Sequence, residues 1–472
     1  FHPVFTGIAP EAIIISAGSD GTEGDSIESL RWALIDQNAS VANFSAQLQQ
    51  DELLHWADVA FDYWARYSNR LVVVASDNTG GNVATPGKGW NVLTVGGSDD
   101  KGSIAWGDDG MYPDSAYLNP SSPNSDKEKP EVVSYAVDIE VPDLVNHTVG
   151  TVGTSVAAPQ VAGLSALLVD RNSSLLYWPE AQRAIIMASA LHNVDGPAWI
   201  VGNADLKDGA GQINAIYADQ VAQVRGGPSA PCTGSCWWGD LITNASLPVG
   251  NTLSRTVYVG SPSLVRVVIS WWSHVDSPSL SGIDTLDTDL DLRVTDPNGN
   301  WVPGAESISY DNNYEMVQFL ALAPGTYSIN IKKDWADESA NSVGTAVFVY
   351  PMPRRVFLPV LAKTDDPEIP QQVTITPPYP GPVEQTSTPT TIASPTWTRT
   401  ATLSPSPTST STPSRTSTRT ATPTATSTST STALSGGCPG NTLVANGCFE
   451  TGTLSGWSAQ GSPSATTGAK RT

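Results

Sequence analysis

Apolar runs and helical periods alternate along the first half of the chain. The apolar runs, which predict strands, cover 13–16, 41–44, 71–75 and 92–95. Amphipathic segments, which predict helices, cover 26–37, 51–67, 154–170 and 179–192. Because strands that alternate with helices pair in parallel, the pattern predicts one α/β domain over residues 1–222, with helices flanking a parallel sheet.

The pattern changes at about residue 230 to short segments of alternating polarity separated by turn residues. Examples are 266–271, 291–295 and 326–331. This sequence pattern is typical of an all-β sandwich, which we predict over 230–362. Residues 363–435 are rich in Pro, Ser and Thr and predict a disordered linker, since they cannot bury a core. Residues 436–472 predict the start of a further β module, of jelly-roll or binding type.

Charge and cysteine content narrow the classes of partner and compartment. The 472 residues carry 24 Lys and Arg against 46 Asp and Glu, a net charge of −22, which argues against nucleic acid or an anionic membrane as partner. No apolar run reaches the roughly 18 residues of a membrane span. The cysteines form two close pairs without zinc-site spacing, and predict disulfides Cys232–Cys236 and Cys438–Cys448. Disulfides favour a secreted, extracellular or cell-surface protein.

One motif carries candidate chemistry. Gly153-Thr-Ser-Val-Ala-Ala-Pro159 precedes a helical apolar pattern, so Ser155 is predicted at a helix N-terminus. There the free N–H groups and the helix dipole favour the negative charge that develops in acyl transfer. An isolated serine at this place would more often be an ordinary N-cap. With Gln160-Val-Ala-Gly163, however, the motif resembles the nucleophile block of the subtilases.

The resemblance covers about residues 7–222 and implies a subtilisin-like sheet and a secreted serine endopeptidase that cleaves polypeptides. It implies that Ser155 is the nucleophile and that Asn78, after the apolar run 71–75, donates to the oxyanion. The family usually has Ala-Gly-Asn there, so Ser76-Asp77 is a departure. Ser45 and Ala46 resemble the backbone that lines the substrate groove.

The aspartate and histidine blocks of the subtilases are missing from this sequence. None of the five histidines lies in a His-Gly-Thr-His setting; they are His2, His55, His147, His192 and His274. We therefore expect a fragment, truncated at its N-terminus and inactive alone, whose absent first strand would lie between 41–44 and 71–75. The alternative is a non-catalytic secreted adhesion or binding protein built on a degenerate protease domain.

The predicted sandwich carries candidate cation ligands. It resembles the β-sandwich that often follows the catalytic domain in secreted subtilases. In a strand, Asp289 and Asp291 point to one face, and with Asn313 and Glu315 they could supply the oxygen ligands that structural Ca²⁺ prefers. The alternative is solvated edge charges that discourage strand pairing. No catalytic cofactor is implied, and the last module suggests surface or carbohydrate tethering.

Overall fold

A computed structural model of the chain describes residues 7–142, 148–195, 207–279, 281–282, 284–336, 340–352 and 443–446. The first part contains eight strands, at β1 (Ile13–Ser16), β2 (Val41–Phe44), β3 (Leu71–Ala75), β4 (Val92–Asp99), β5 (Gly110–Met111), β6 (Val132–Tyr135), β7 (Ile139–Pro142) and β8 (Thr148–Thr151). Its helices are α1 (Glu23–Arg31), α2 (Trp56–Ser68), α3 (Thr154–Arg171), α4 (Pro179–Ser189) and α5 (Ala215–Ala222).

The central sheet is parallel, as the alternation of strands and helices predicts. Its strand order is β1, then the four-residue strand Leu443–Asn446, then β2, β3, β4 and β6, while β5 pairs antiparallel with the end of β4. Side chains alternate between its two faces. Val72 and Val74 pack toward α1 and α2, whereas Val73 packs toward α3, so the sheet is covered on both sides.

The order of strands corrects one expectation. β2 and β3 pair directly, with Val41 opposite Leu71, so the expected position of an absent strand between them is wrong. The additional strand position lies between β1 and β2, where Val444 stands opposite both Ile14 and Val41. Local sequence predicts that a strand exists, but its neighbours depend on where each helical crossover returns the chain.

Three helices are shorter than the sequence pattern predicts: α1, α2 and α4, which ends at Ser189 rather than at residue 192. α1 ends at Arg31 and continues as a π-helical turn, Trp32–Asp36. α2 begins at Trp56 because His55 and Asp58 form a capping box: Asp58 accepts from the His55 backbone at 2.8 Å, and the His55 ring accepts from the Ala57 N–H. None of the helices in the described ranges is long and apolar enough to cross a membrane.

A two-sheet β-sandwich follows α5. Its strands are β9 (Cys232–Thr233), β10 (Cys236–Thr243), β11 (Thr252–Val259), β12 (Ser263–Trp271), β13 (His274–Val275), β14 (Asp284–Thr285), β15 (Thr288–Thr295), β16 (Trp301–Ser307), β17 (Tyr314–Ala321), β18 (Gly325–Ala336) and β19 (Ala340–Pro351). One sheet has the order β10-β19-β12-β17 and the other β16-β15-β18-β11-β9. Val267 and Leu292, from opposite sheets, lie in the core between them.

The sandwich shares a core with the α/β part. Along β12, Val267 faces the inside of the sandwich, while Val268 joins the cluster that contains α4 and α3. Arg266, which is 1% exposed, donates to the carbonyl oxygens of Ala190 and Ala210 at 2.6 Å each. The α/β part and the sandwich therefore lie in one compact unit.

The disulfide Cys232–Cys236 is confirmed, with its Cα atoms 6.5 Å apart at the entrance to the sandwich. The predicted pair Cys438–Cys448 and the predicted linker 363–435 lie outside the described residues. Of the predicted last module, only the backbone of Leu443–Asn446 is described, and it is the strand β20 of the α/β sheet.

Candidate active site

Ser155 lies in the first turn of α3, where the chain turns sharply from β8 into the helix. The turn depends on Gly153, whose φ of +139° is a backbone conformation that favours glycine. A Cβ atom at Gly153 would lie 3.2 Å from both Ser155 Oγ and Asn78 Oδ1. The two predicted site residues therefore flank one small space, and Ser155 itself is 8% exposed.

Asn78 is oriented by the start of the same helix. Its Oδ1 accepts from the Thr154 backbone N–H at 2.7 Å and from the Thr154 hydroxyl at 3.2 Å. That hydroxyl also accepts from the Asp77 N–H at 3.3 Å, so the turn after β3 is tied to the helix N-terminus. Because the amide oxygen accepts these bonds, the Asn78 NH₂ group is directed away from the Thr154 N–H.

Ser45 and Ala46 follow β2 directly. Ser45 is 7% exposed, and its hydroxyl accepts from the Asn43 side-chain amide at 2.9 Å. The segment then runs beside the Thr85 backbone, with which Gln49 forms an antiparallel bridge. β2 and β3 are neighbouring parallel strands, so this segment and the turn that contains Asn78 lie at the same edge of the sheet, and we call them the two walls of the candidate groove.

The three histidines in the described ranges lie in other settings. His55 caps α2, and His274 lies 3.9 Å from Asp287. His192 is buried, bonds through Nε2 to Asp109 at 2.7 Å and stacks on Trp106. Burial lowers the pKa of His192 and raises that of Asp109. His2 and His147 lie outside the described residues.

The four candidate cation ligands do not share one environment. Asn313 accepts from Arg183 at 2.9 Å and donates to the Trp271 carbonyl at 2.7 Å, so its amide joins the sandwich to the α/β part. Glu315 accepts from the Ser307 hydroxyl and from the Ser309 N–H. Burial, together with neighbouring Asp289 and Asp291, raises the pKa of Glu315 well above its ordinary value.

Asp289 is the most unusual of these carboxylates. It is 1% exposed, and neither of its oxygens has a hydrogen-bond partner among the described residues. Burial raises its pKa to about 7, and Asp291, Asp334 and Asp126 add to that rise. Sequence reasoning missed Asp126 and Asp334, which come from distant parts of the chain. No three His, Cys, Asp or Glu side chains in the described ranges are arranged to hold a metal ion.

The site places Ser155 at a helix N-terminus, and Asn78 accepts a hydrogen bond from the same helix end through its amide oxygen. Residues 1–216 match the model of the subtilase family. A stretch of 161 residues is 32% identical to the subtilisin-like protease SBT6.1 of Arabidopsis thaliana, which covers 33% of this chain and 14% of the relative.

Solved structures of maturation proteases also resemble the chain. The prenylagaramide maturation protease PagA matches with a TM-score of 0.32 and 20% identity, over 42% of this chain and 67% of that one. The patellamide maturation protease PatA matches with a TM-score of 0.35 and 24% identity, over 43% and 69%.

Proposed function

We propose that this protein is part of a secreted serine endopeptidase that cleaves polypeptides by acyl transfer through Ser155. The observation that carries the proposal is that Ser155 Oγ and Asn78 Oδ1 each lie 3.2 Å from the place that a Cβ atom of residue 153 would occupy. The family match over residues 1–216 supports it. The disulfide in the sandwich and the strongly acidic composition are consistent with secretion.

In the proposed reaction, Ser155 Oγ attacks the carbonyl carbon of the scissile peptide bond while a general base takes the hydroxyl proton. The oxyanion that forms accepts hydrogen bonds from the Asn78 NH₂ group and from backbone N–H at the start of α3. Return of the proton to the leaving amine releases the first product, and water then hydrolyses the acyl-enzyme. We propose that this chain supplies neither the base nor its orienting carboxylate, because the aspartate and histidine blocks of the subtilases are missing from its sequence, so it is inactive alone.

Labelling with a fluorophosphonate tests the proposal, because this probe reacts with an activated serine. The chain of 472 residues should not be labelled. A longer product of the same reading frame that carries Asp-Ser/Thr-Gly and His-Gly-Thr-His blocks should be labelled, and Ser155→Ala should abolish labelling. Asn78→Ala should slow turnover by roughly 10² to 10³, with little change in substrate binding.

The non-catalytic alternative makes the opposite prediction for the longer product. If those blocks are absent, or if the longer product is not labelled at Ser155, the chain is an adhesion or binding protein on a degenerate protease fold. Labelling of the 472-residue chain itself would show that a base within this chain serves Ser155.

We further propose that a hard cation such as Ca²⁺ binds at Asp289 and that Asp291 and Glu315 move to complete its oxygen ligands, since in the present arrangement no three acidic side chains among the described residues are placed to hold a metal ion. The support is the buried Asp289 carboxylate, whose oxygens lack partners among the described residues, because an ionised buried group of this kind is costly unless compensated. The Asn313 amide is already engaged by Arg183 and Trp271, so we do not include it. The competing explanation is a protonated carboxyl, which the pH experiment in the Discussion distinguishes.

A further inference from the structure

Asp77 is an acidic residue in the wall of the proposed active site. It stands between β3 and Asn78, is 2% exposed and has a φ of +109°. Few residues with a Cβ atom adopt this backbone conformation without strain. An aspartate therefore occupies a position where glycine would be less strained, which suggests that its carboxylate has a function.

Neutral donors surround this carboxylate. Among the described residues, it accepts from the Asn78 N–H at 2.7 Å, from Gln50 Nε2 at 2.8 Å and from the Thr79 hydroxyl at 3.3 Å. The nearby buried cation, Lys88, pairs instead with Asp51 and Asp58. The charge of Asp77 is thus solvated by dipoles, and an incoming cation would form a stronger, charge-assisted hydrogen bond.

The Gln50–Asp77 bond spans the two walls of the groove. Gln50 belongs to the segment that follows β2 and is exposed, whereas Asp77 belongs to the turn that follows β3. In parallel sheets, ligands bind in the crevice outside the carboxyl ends of such strands. Because Gln50 contributes a neutral amide from the solvent side, a ligand can displace it without breaking an ion pair.

The position of Asp77 relative to the reacting carbonyl follows from its neighbour. A carbonyl attacked by Ser155 would direct its oxygen to the Asn78 amide, and Asn78 bonds through its own N–H to the Asp77 carboxylate. The side chain of the residue that supplies this carbonyl branches from the Cα atom that is bonded to the carbonyl carbon. It would therefore enter the crevice beside Asp77.

We propose that Asp77 selects a lysine or arginine as the residue that supplies the attacked carbonyl, and that the basic side chain replaces the Gln50 amide on the carboxylate. This inference rests on the proposed function. It assigns Asp77 a role in specificity, while Ser155 and Asn78 act on the reacting atoms.

Equilibrium binding of product-like peptides tests the proposal without requiring turnover. The probes are N-acetyl tetrapeptides with a free carboxylate, identical except for a last residue of Lys, Arg, norleucine or Glu, titrated into the full chain by calorimetry. The Lys and Arg peptides should bind at least tenfold more tightly than the norleucine peptide at low salt. Asp77→Asn should reduce this preference to within twofold.

Asp138→Asn is the matched control, since Asp138 is also an aspartate at positive φ but is exposed and lies after β6. It changes the net charge equally and should leave the preference intact. Asp77→Gly is a second variant, which relieves the backbone and should bind all four peptides with similar affinity.

The outcomes separate this inference from the proposed function. Equal affinity for the Lys and norleucine peptides in the unmodified chain would overturn the role of Asp77 and leave the proposed protease groove standing. A preference that survives Asp77→Asn would also overturn it, and a preference that falls equally in Asp77→Asn and Asp138→Asn would assign the effect to net charge and overturn it as well. If none of the four peptides binds, both the groove and the selection by Asp77 are wrong.

Discussion

The contact between Arg266 and the α/β part gives the sharpest test of the shared core. Arg266→Met removes a fully buried guanidinium that donates to the carbonyls of Ala190 and Ala210, and to Gln318 at 3.0 Å. Each carbonyl left without a donor costs about 1–3 kcal/mol. Part of this cost is offset because a charge is no longer buried, so we expect a net loss of about 3–5 kcal/mol. That is a large share of the roughly 5–15 kcal/mol that stabilises a typical domain.

Urea unfolding followed by tryptophan fluorescence measures this loss. Arg293→Met is the matched control, because Arg293 pairs with Glu306 on the sandwich surface, with side chains 39% and 48% exposed. Such a pair contributes less than about 1 kcal/mol. Equal midpoints for the two variants would refute the reasoning. Two well-separated unfolding transitions in the unmodified chain would refute the shared core itself.

Three further predictions concern single positions. Burial, with Asp291 next in effect, raises the pKa of Asp289 from 3.8 to about 7, so its ionisation opposes folding. In chelator, the free energy of unfolding should therefore fall as the pH rises from 3.8 to about 7. Asp289→Asn should make the free energy of unfolding less dependent on pH over this range. Millimolar Ca²⁺ should reduce the fall in the unmodified chain. If Ca²⁺ does not change the midpoint of unfolding, a protonated Asp289 carboxyl explains why its oxygens lack partners among the described residues. Val444→Pro removes a backbone donor from β20, so it should speed amide hydrogen exchange in β1 and β2 but not in β4. Val444→Ile keeps the donor and should leave exchange in all three strands unchanged. Equal exchange rates in the two variants would contradict the pairing of β20 with β1 and β2. Gly153→Ala forces a Cβ atom toward Asn78 Oδ1 and Ser155 Oγ, so it should lower the free energy of unfolding by about 1–3 kcal/mol. Gly150→Ala is the control and should have little effect, because the one atom near its Cβ would belong to Glu140, at 4.0 Å. Equal melting temperatures for the two glycine variants would argue against the strained turn.

Much of the α/β part could be predicted from local patterns. The strands at 13–16, 41–44 and 71–75 have the bounds that their apolar runs predict. The last two are buried along their whole length, and buried parallel strands read as continuous hydrophobic segments. Helix ends were less certain. The pattern begins the second helix at residue 51, but His55 and Asp58 cap it later, and Asp51 instead pairs with Lys88, a distant residue.

The candidate site was predictable where one motif carried it. The glycine-bounded turn into α3 predicts Ser155, and the resemblance to the subtilases predicts Asn78. The sequence indicated that Asp77 departs from the family pattern, but not that Gln50 would reach across to it, because that bond joins residues 27 positions apart. For Asn313, its place near Glu315 suggested a cation ligand, whereas its amide bonds to Arg183 of α4, 130 positions away.

By itself, therefore, the sequence determined the succession of strands and helices, the change to a sandwich near residue 230 and the subtilase-like order of motifs, because each of these depends on residues close together in the chain. Only the tertiary structure decided which strands are neighbours, that β20 lies between β1 and β2, and that α4 and β12 share a core. These features depend on contacts between segments far apart in sequence. The free energy of such contacts comes from surfaces that exist only once both segments have folded.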